Sequence, residues 1–143
     1  MSRTQSIEVM ARREIEELHQ FFVTWFTDSG DQPGNFTACE GAFAPGFCMI
    51  TPSGERHGRK AVLDRLWQAR GSVRGAFTIA ILDLRTVWLR DDAILVEYAE
   101  HQLRDGLTTR RRSVALLTPD HAAPRGMVWR FLQETWVKPD GPA

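Results

Sequence analysis

Three ionisable residues in the second half of this 143-residue chain, Glu100, Arg111 and Glu134, lie in segments otherwise rich in β-branched, aliphatic and aromatic side chains. Burying an unpaired carboxylate costs several kcal/mol, so such a group pairs, gathers donors or takes up a proton. Two carboxylates around one arginine could do acid–base work. The guanidinium could hold both of them ionised; alternatively, Trp136 shields one glutamate and raises its pKa toward neutrality, where it serves as a general acid or base. Such a set orients and deprotonates a water. The same residues also allow a reading without chemistry. Glu100 and Arg111 then form an ordinary cross-strand ion pair, and Glu134 accepts hydrogen bonds from backbone or a tryptophan N–H.

The elements that must position these groups are strands. "FTIAILDLRTVWL" (77–89), "AILVEYAEHQL" (93–103), "LTTRRRSVALLT" (107–118) and "MVWRFLQETWV" (127–137) have strand composition. "RDD" (90–92) and "RDG" (104–106) are short turns, and Asp105–Gly106 suits a two-residue type I′ hairpin. That hairpin pairs Arg104 with Leu107, Gln102 with Thr109, Glu100 with Arg111 and Tyr98 with Ser113. Ile94, Val96, Tyr98, Glu100 and Gln102 then share a face with Arg111, Ser113, Ala115 and Leu117. In the last strand, alternation puts Leu132, Glu134 and Trp136 on one face, and Trp129, Phe131, Gln133 and Thr135 on the other.

The first half reads as helical. Ile7, Met10, Ile15, Leu18, Phe22, Trp25 and Phe26 recur at three- and four-residue steps, predicting an amphipathic helix over 7–28 with Ser6 as N-cap and Gly30 as stop. "DSGDQPG" (28–34) is a loop, and "NFTACEGAFAPGF" holds a short helix that breaks at Pro45. "FCMIT" (47–51) is a strand and "PSGERHG" (52–58) a turn. "RKAVLDRLWQAR" (59–70) is a helix with Ala61, Val62, Leu66 and Trp67 along its stripe and Gly71 at its end. Helices followed by an antiparallel meander define an α+β fold. The length fits one domain over 1–143, with a helical part at about 7–70 and a sheet at about 77–137.

Hydrophobic residues make up 43% and charged residues 25%, with 18 basic and 18 acidic side chains. Zero net charge argues against a nucleic-acid or membrane-surface binder. Strand alternation also splits the "RRR" run, with Arg110 and Arg112 on one side and Arg111 on the other. Cys39 and Cys48 read as reduced thiols, and the N-terminal segment lacks the apolar core of a signal peptide, so a cytoplasmic protein is expected. No nucleotide-binding glycine motif, GxSxG elbow or zinc spacing is present, so no cofactor and no metal are expected. His19 lies close to Glu16 and Glu17 on a charged helix face and is expected to be solvated. His57 and His121 fall in a turn and a loop, and His101 points away from Glu100.

A long first helix, then "FAPGFCMITPSGERHGR", a second helix and a meander ending "WRFLQETW" together resemble the nuclear-transport-factor-2-like superfamily, within it the SnoaL-like and uncharacterised bacterial groups. The resemblance spans about residues 7–137. It implies a cone-shaped α+β barrel with N-terminal helices packed on a curved, mostly antiparallel sheet. It also implies an internal pocket for a small-molecule ligand and a homodimer through the outer sheet face. That outer face would present Leu95, Ala99, Leu103, Val114, Leu116, Trp129 and Phe131. The superfamily holds isomerases, cyclases, dehydratases, hydrolases and non-catalytic modules, so the fold leaves function open. The resemblance turns Glu134 inward. Glu100, Arg111 and Glu134 then become candidate catalytic residues, with Tyr98, Gln102, Ser113 and Trp136 around them as ligand contacts. Epoxide hydrolases of this fold use a similar combination of residue types. Phe22, Thr51 and Ser113 fall where steroid isomerases of the fold carry their tyrosine, base and acid. None of the three can do that chemistry, and they are expected only to line the pocket. Two functions follow: cofactor-independent acid–base turnover of a mostly apolar ligand, or a non-catalytic dimerisation or ligand-sensing module.

Overall fold

The computed structural model describes residues 3–27 and 33–138. Helix α1 (Arg3–Thr27) is followed by a 3-10 turn (Pro33–Asn35), α2 (Phe36–Gly41), β1 (Phe43–Ile50), β2 (Arg56–Gly58) and α3 (Arg59–Gln68). The meander is β3 (Phe77–Leu89), β4 (Ile94–Arg104), β5 (Leu107–Pro119) and β6 (Met127–Val137). The strands form one open, mostly antiparallel sheet in the order β2-β1-β6-β5-β4-β3, with β1 parallel to β6. The expected α+β arrangement of helices on a curved sheet is present. The sheet does not close into a barrel, because β2 and β3 both end as edges.

The β4–β5 register matches the hairpin reading residue for residue, from Arg104 opposite Leu107 to Tyr98 opposite Ser113. Asp105 (φ 52°) and Gly106 (φ 80°) supply the two positive dihedrals of a type I′ turn. Elsewhere the pairing slips, at Leu82/Arg85 and Thr86/Trp88 in β3 and between Leu116 and Leu117 of β5. Each bulge adds a residue to one strand, and the strand bends and twists around it. The slip in β6 corrects one expectation. Leu117 pairs with Trp129 and Leu116 with Phe131, leaving Arg130 as the extra residue. Alternation is reset there, so Trp129 is buried on the inner face instead of lying outside.

Other boundaries also differ. Helix α1 begins at Arg3, so Ser6 lies inside it and not at its cap; the expected stop at Gly30 falls outside the described residues. Helix α2 ends at Gly41, before Pro45. That proline sits within β1, where the pairing to β6 is irregular between Phe43 and Cys48 and no ladder N–H is missed. The 52–58 stretch is not all turn, since Arg56–Gly58 pairs with β1. Helix α3 buries Val62 and Leu63, while Ala61 is exposed. Trp67 is half-exposed because it covers the core from outside, packing on Trp25 and Phe36 with ring centroids 5.6 and 5.3 Å away.

Helix α1 lies along the inner face of the sheet. Its last carbonyls are satisfied from the segment after α3, with Gly71 N–H donating to Trp25 (3.0 Å) and Val73 N–H to Phe26 (2.9 Å). Trp25 Nε1 donates to the Leu66 carbonyl at 2.7 Å and ties α1 to α3. The loop between β5 and β6 is fastened by a fully buried carboxylate on α1, Glu14. It accepts both Arg125 Nε (3.0 Å) and a terminal Arg125 nitrogen (3.1 Å), and also Trp129 Nε1 (3.0 Å). Burial pushes the Glu14 pKa up, and the Arg125 guanidinium and Trp129 N–H oppose that shift.

Glu14→Ala would strand a guanidinium and an indole N–H and is expected to cost about 3–5 kcal/mol. Glu17→Ala removes a half-exposed second contact to Arg125 (3.6 Å) and an exposed pair with Arg13 (3.3 Å), and should cost about 1 kcal/mol or less. Urea unfolding of the two variants checks the contrast.

Candidate functional site

On the inner face, α1, β1, α3 and strands β4–β6 enclose a cavity of about 170 Å³. Most of its wall is apolar, with Phe22, Phe26, Phe43, Phe47 and Met49 among the lining residues. Five polar groups interrupt that wall: His19, Glu100, Gln102, Arg111 and Glu134. Strand alternation brings the last four to one face, because Glu100 pairs with Arg111 across β4–β5 and Arg111 with Trp136 across β5–β6. His19 enters from α1 opposite them.

His19 is buried, which corrects its expected place on a solvated face. Its Nδ1 lies 2.7 Å from the Ile15 carbonyl and its Nε2 3.0 Å from Glu100 Oε1. A carbonyl only accepts, so Nδ1 carries a proton. A second proton lies between Nε2 and Oε1, whichever atom holds it. Gln102 donates its side-chain N–H to the other Glu100 oxygen. Glu100 is therefore bound to His19 and Gln102, and the expected Glu100–Arg111 ion pair is not formed among the described residues. Arg111 instead sits 3.5 Å from Glu134 Oε1 and stacks on Trp136, its guanidinium carbon 4.6 Å from the ring centroid.

These contacts separate the two glutamates electrostatically. Burial pushes Glu100 up, but the charge and hydrogen bond of His19, with help from Arg111 and Gln102, hold its pKa down to about 2. For His19 burial works downward and the Glu100 carboxylate outweighs it, so the imidazole pKa is raised. Glu134 is shifted up by burial and by repulsion from Glu100, against the pull of Arg111 and His19. One carboxylate is thus a fixed charge and the other a group with raised proton affinity, both on one small cavity.

The remaining sequence candidates divide. Phe22 and Gln102 line the cavity. Tyr98 and Ser113 lie under its floor, fully buried, where their hydroxyls approach without reaching hydrogen-bond geometry. Burial and the two glutamates raise the Tyr98 pKa well above its ordinary value. Trp136 is half-exposed and not in the cavity wall; it reaches the site only through its stack on Arg111. Thr51 is not in the wall; its hydroxyl is engaged in the turn after β1, with Ser53 and the Glu55 backbone N–H at 3.0 Å each. The sequence reading missed His19 among the polar wall residues and, among the apolar ones, Trp129, Phe26, Phe43, Phe47 and Met49. A signal for His19 exists, since it stands four residues after Ile15 and three before Phe22, on the buried stripe of α1. A wider hollow of about 610 Å³ between the first half of α1 and β3 holds none of these groups. Its polar side chains are already engaged: Thr86 donates to Glu8 at 2.8 Å, Arg12 pairs with Glu16 at 3.6 Å and Arg85 with Glu97 at 3.5 Å. No cluster of three His, Cys, Asp or Glu side chains among the described residues is arranged to hold a metal. Burial pushes the Cys39 thiol up to about 12, which makes it an inert packing group.

The His19–Glu100 pair has a signed effect on stability. With its pKa raised, His19 contributes fully below the ordinary value of 6.5 and less as pH climbs through its folded pKa. With its pKa lowered, Glu100 contributes fully above 4.5 and less as pH falls toward about 2. The pair is worth most between these limits, and Glu134 removes stability as pH rises above 4.5. The thermal midpoint should therefore peak at mildly acidic pH and decline above 6.5. Glu100→Gln should lower the peak and flatten the alkaline decline.

No family model and no curated protein matches the chain. Solved structures do. An NTF-2 like protein of unknown function from Pseudomonas aeruginosa is 26% identical, with a TM-score of 0.81 over 90% of this chain and 99% of that one. An NTF2-like protein of unknown function from Pseudomonas putida is 12% identical, with a TM-score of 0.70 over 92% and 87%. A putative calcium/calmodulin-dependent kinase II association domain from Exiguobacterium sibiricum is 17% identical, with a TM-score of 0.65 over 93% and 95%. The last two likenesses concern the fold alone. With its helices on a bulged, open meander and this agreement along nearly the whole chain, the protein belongs to the nuclear-transport-factor-2-like superfamily.

Proposed function

We propose that residues 7–137 act as one unit that binds a small, mostly apolar molecule and transfers a proton to or from it without a cofactor. The observation that carries this reading is the juxtaposition of Glu134 with the His19–Glu100 pair and Arg111 on one apolar cavity. Glu134 is the group that gives and takes the proton. Glu100, tied to His19, is the fixed negative charge that keeps proton affinity high at Glu134. Arg111 steadies the ionised form of Glu134, and Trp136 holds the guanidinium plane. The charges of His19, Arg111, Glu100 and Glu134 balance when all are ionised, which suits an uncharged group inside the inner cavity. Volume sets the scale: an engineered cavity of about 150 Å³ holds benzene, so about 170 Å³ takes a single ring and excludes a steroid-sized skeleton.

The outer sheet face supports a homodimer. Leu95, Leu103, Val114, Leu116 and Phe131 share it, and register adds Leu82 and Trp88 from β3, both more than 40% exposed. Trp129, expected there, belongs to the inner face. A kinase association domain shares the fold, which favours an assembling module as the second reading. We place the protein in the cytoplasm, with Cys39 and Cys48 as free thiols. No helix among the described residues is long and apolar enough to cross a membrane.

Cyclohexanone in D₂O tests the catalytic reading. The protein should accelerate deuterium exchange at the α-carbons, and Glu134→Gln should slow that exchange by about 10²-fold with the fold intact. Binding without exchange supports the non-catalytic module, and exchange indifferent to Glu134→Gln overturns Glu134 as the proton-transfer group. Light scattering tests the dimer: the protein should weigh as two chains and Leu116→Glu as one, and a monomeric wild type removes the outer face as an interface.

A further inference from the structure

The inner face of the β4–β5 hairpin runs on past the helices that roof the cavity. There Gln102, Arg104, Leu107, Thr109, Arg111 and Trp136 border a second hollow of about 300 Å³. Gln102 and Arg111 belong to both walls, so the hollow is the outward continuation of the inner cavity. Its polarity differs from that of the inner chamber. Two arginines, Arg104 and Arg111, and one carboxylate, Asp105, border it; Asp105 Oδ1 is turned against Gly75, and Arg111 also pairs with Glu134 of the inner wall. Arg111 keeps unused donor capacity. Its Nε has no hydrogen-bond partner among the described residues, and its contact with Glu134 is long at 3.5 Å. Trp136 stacks on one side of the guanidinium. Thr109, cross-strand partner of Gln102, adds a hydroxyl, and Trp136 and Leu107 supply apolar sides.

We propose that this hollow is a second subsite, which takes the carboxylate of a ligand whose single apolar ring occupies the inner cavity; the proposal rests on the cavity reading above. Arg111 and Arg104 hold the carboxylate by charge-assisted hydrogen bonds, and the methylenes between ring and acid lie along Trp136. The ligand class is an aryl- or cycloalkyl-alkanoic acid. Reach sets its length: Arg104 lies four strand residues beyond Glu100, about 13 Å along β4, so the acid needs a spacer and benzoate is too short.

Calorimetry with three acids (benzoate, 3-phenylpropionate and 5-phenylpentanoate) and the alcohols of matching length tests this. The longer acids should bind about tenfold tighter than their alcohols, and benzoate should show no such preference. Arg104→Gln should bring the acid-to-alcohol ratio close to one, and added salt should weaken only the acids. Alcohols that bind with acids no tighter overturn the subsite and leave the cavity reading standing. Acid preference that survives Arg104→Gln overturns the placement of the carboxylate in the outer hollow. Failure of every probe to bind overturns the cavity reading and the subsite with it.

Discussion

The bond between His19 and Glu100 organises this protein's interior. It joins the first helix to the middle of the sheet, 81 residues away in sequence, inside an apolar chamber where neither group would hold a charge alone. With a backbone carbonyl on Nδ1, the imidazole's orientation is set, and its other edge faces the carboxylate. Removing either partner leaves the other buried without compensation. The pair also settles the division of labour between the two glutamates. Glu100 is committed to His19 and Gln102, and its charge in turn acts on Glu134, whose own partner is an arginine shared with the solvent-facing side.

The backbone puts these groups in place through curvature. Bulges in β3 and β6 bend the sheet around α1, and the one at Arg130 rotates Trp129 inward, where its N–H meets Glu14. Two buried carboxylates on the sheet side of α1 and β4 therefore have opposite purposes. Glu14 is saturated by Arg125 and Trp129 and fastens a loop. Glu100 is saturated by groups that line a cavity. Aromatic rings fill most of the hollow under the helices, and the space left is the size of one ring.

The sheet was legible because its signals are local. Period-two composition and Asp105–Gly106 define β4 and β5 down to single residue pairs, and with them the convergence of Glu100 and Arg111. The last strand was legible only beyond Arg130, because one inserted residue reverses alternation without changing composition. Glu14 and His19 were hidden for a different reason. Each sits at a core position of α1, Glu14 four residues before Leu18 and His19 four after Ile15, yet their polarity argued for solvent. The partners that make burial tolerable, Arg125, Trp129 and Glu100, lie more than 80 residues away. Helical spacing locates such a residue, and only tertiary contact says why it is stable there.

The account depends on two glutamates of one cavity titrating in opposite directions from the ordinary value. Carboxyl ¹³C NMR of selectively labelled protein, with Glu100→Gln and Glu134→Gln for assignment, measures both through the acid range. Glu100 should stay ionised until pH approaches about 2, and Glu134 should protonate above 4.5. Two glutamates titrating together near the free value would contradict the pairing of Glu100 with His19 and the acid–base role of Glu134.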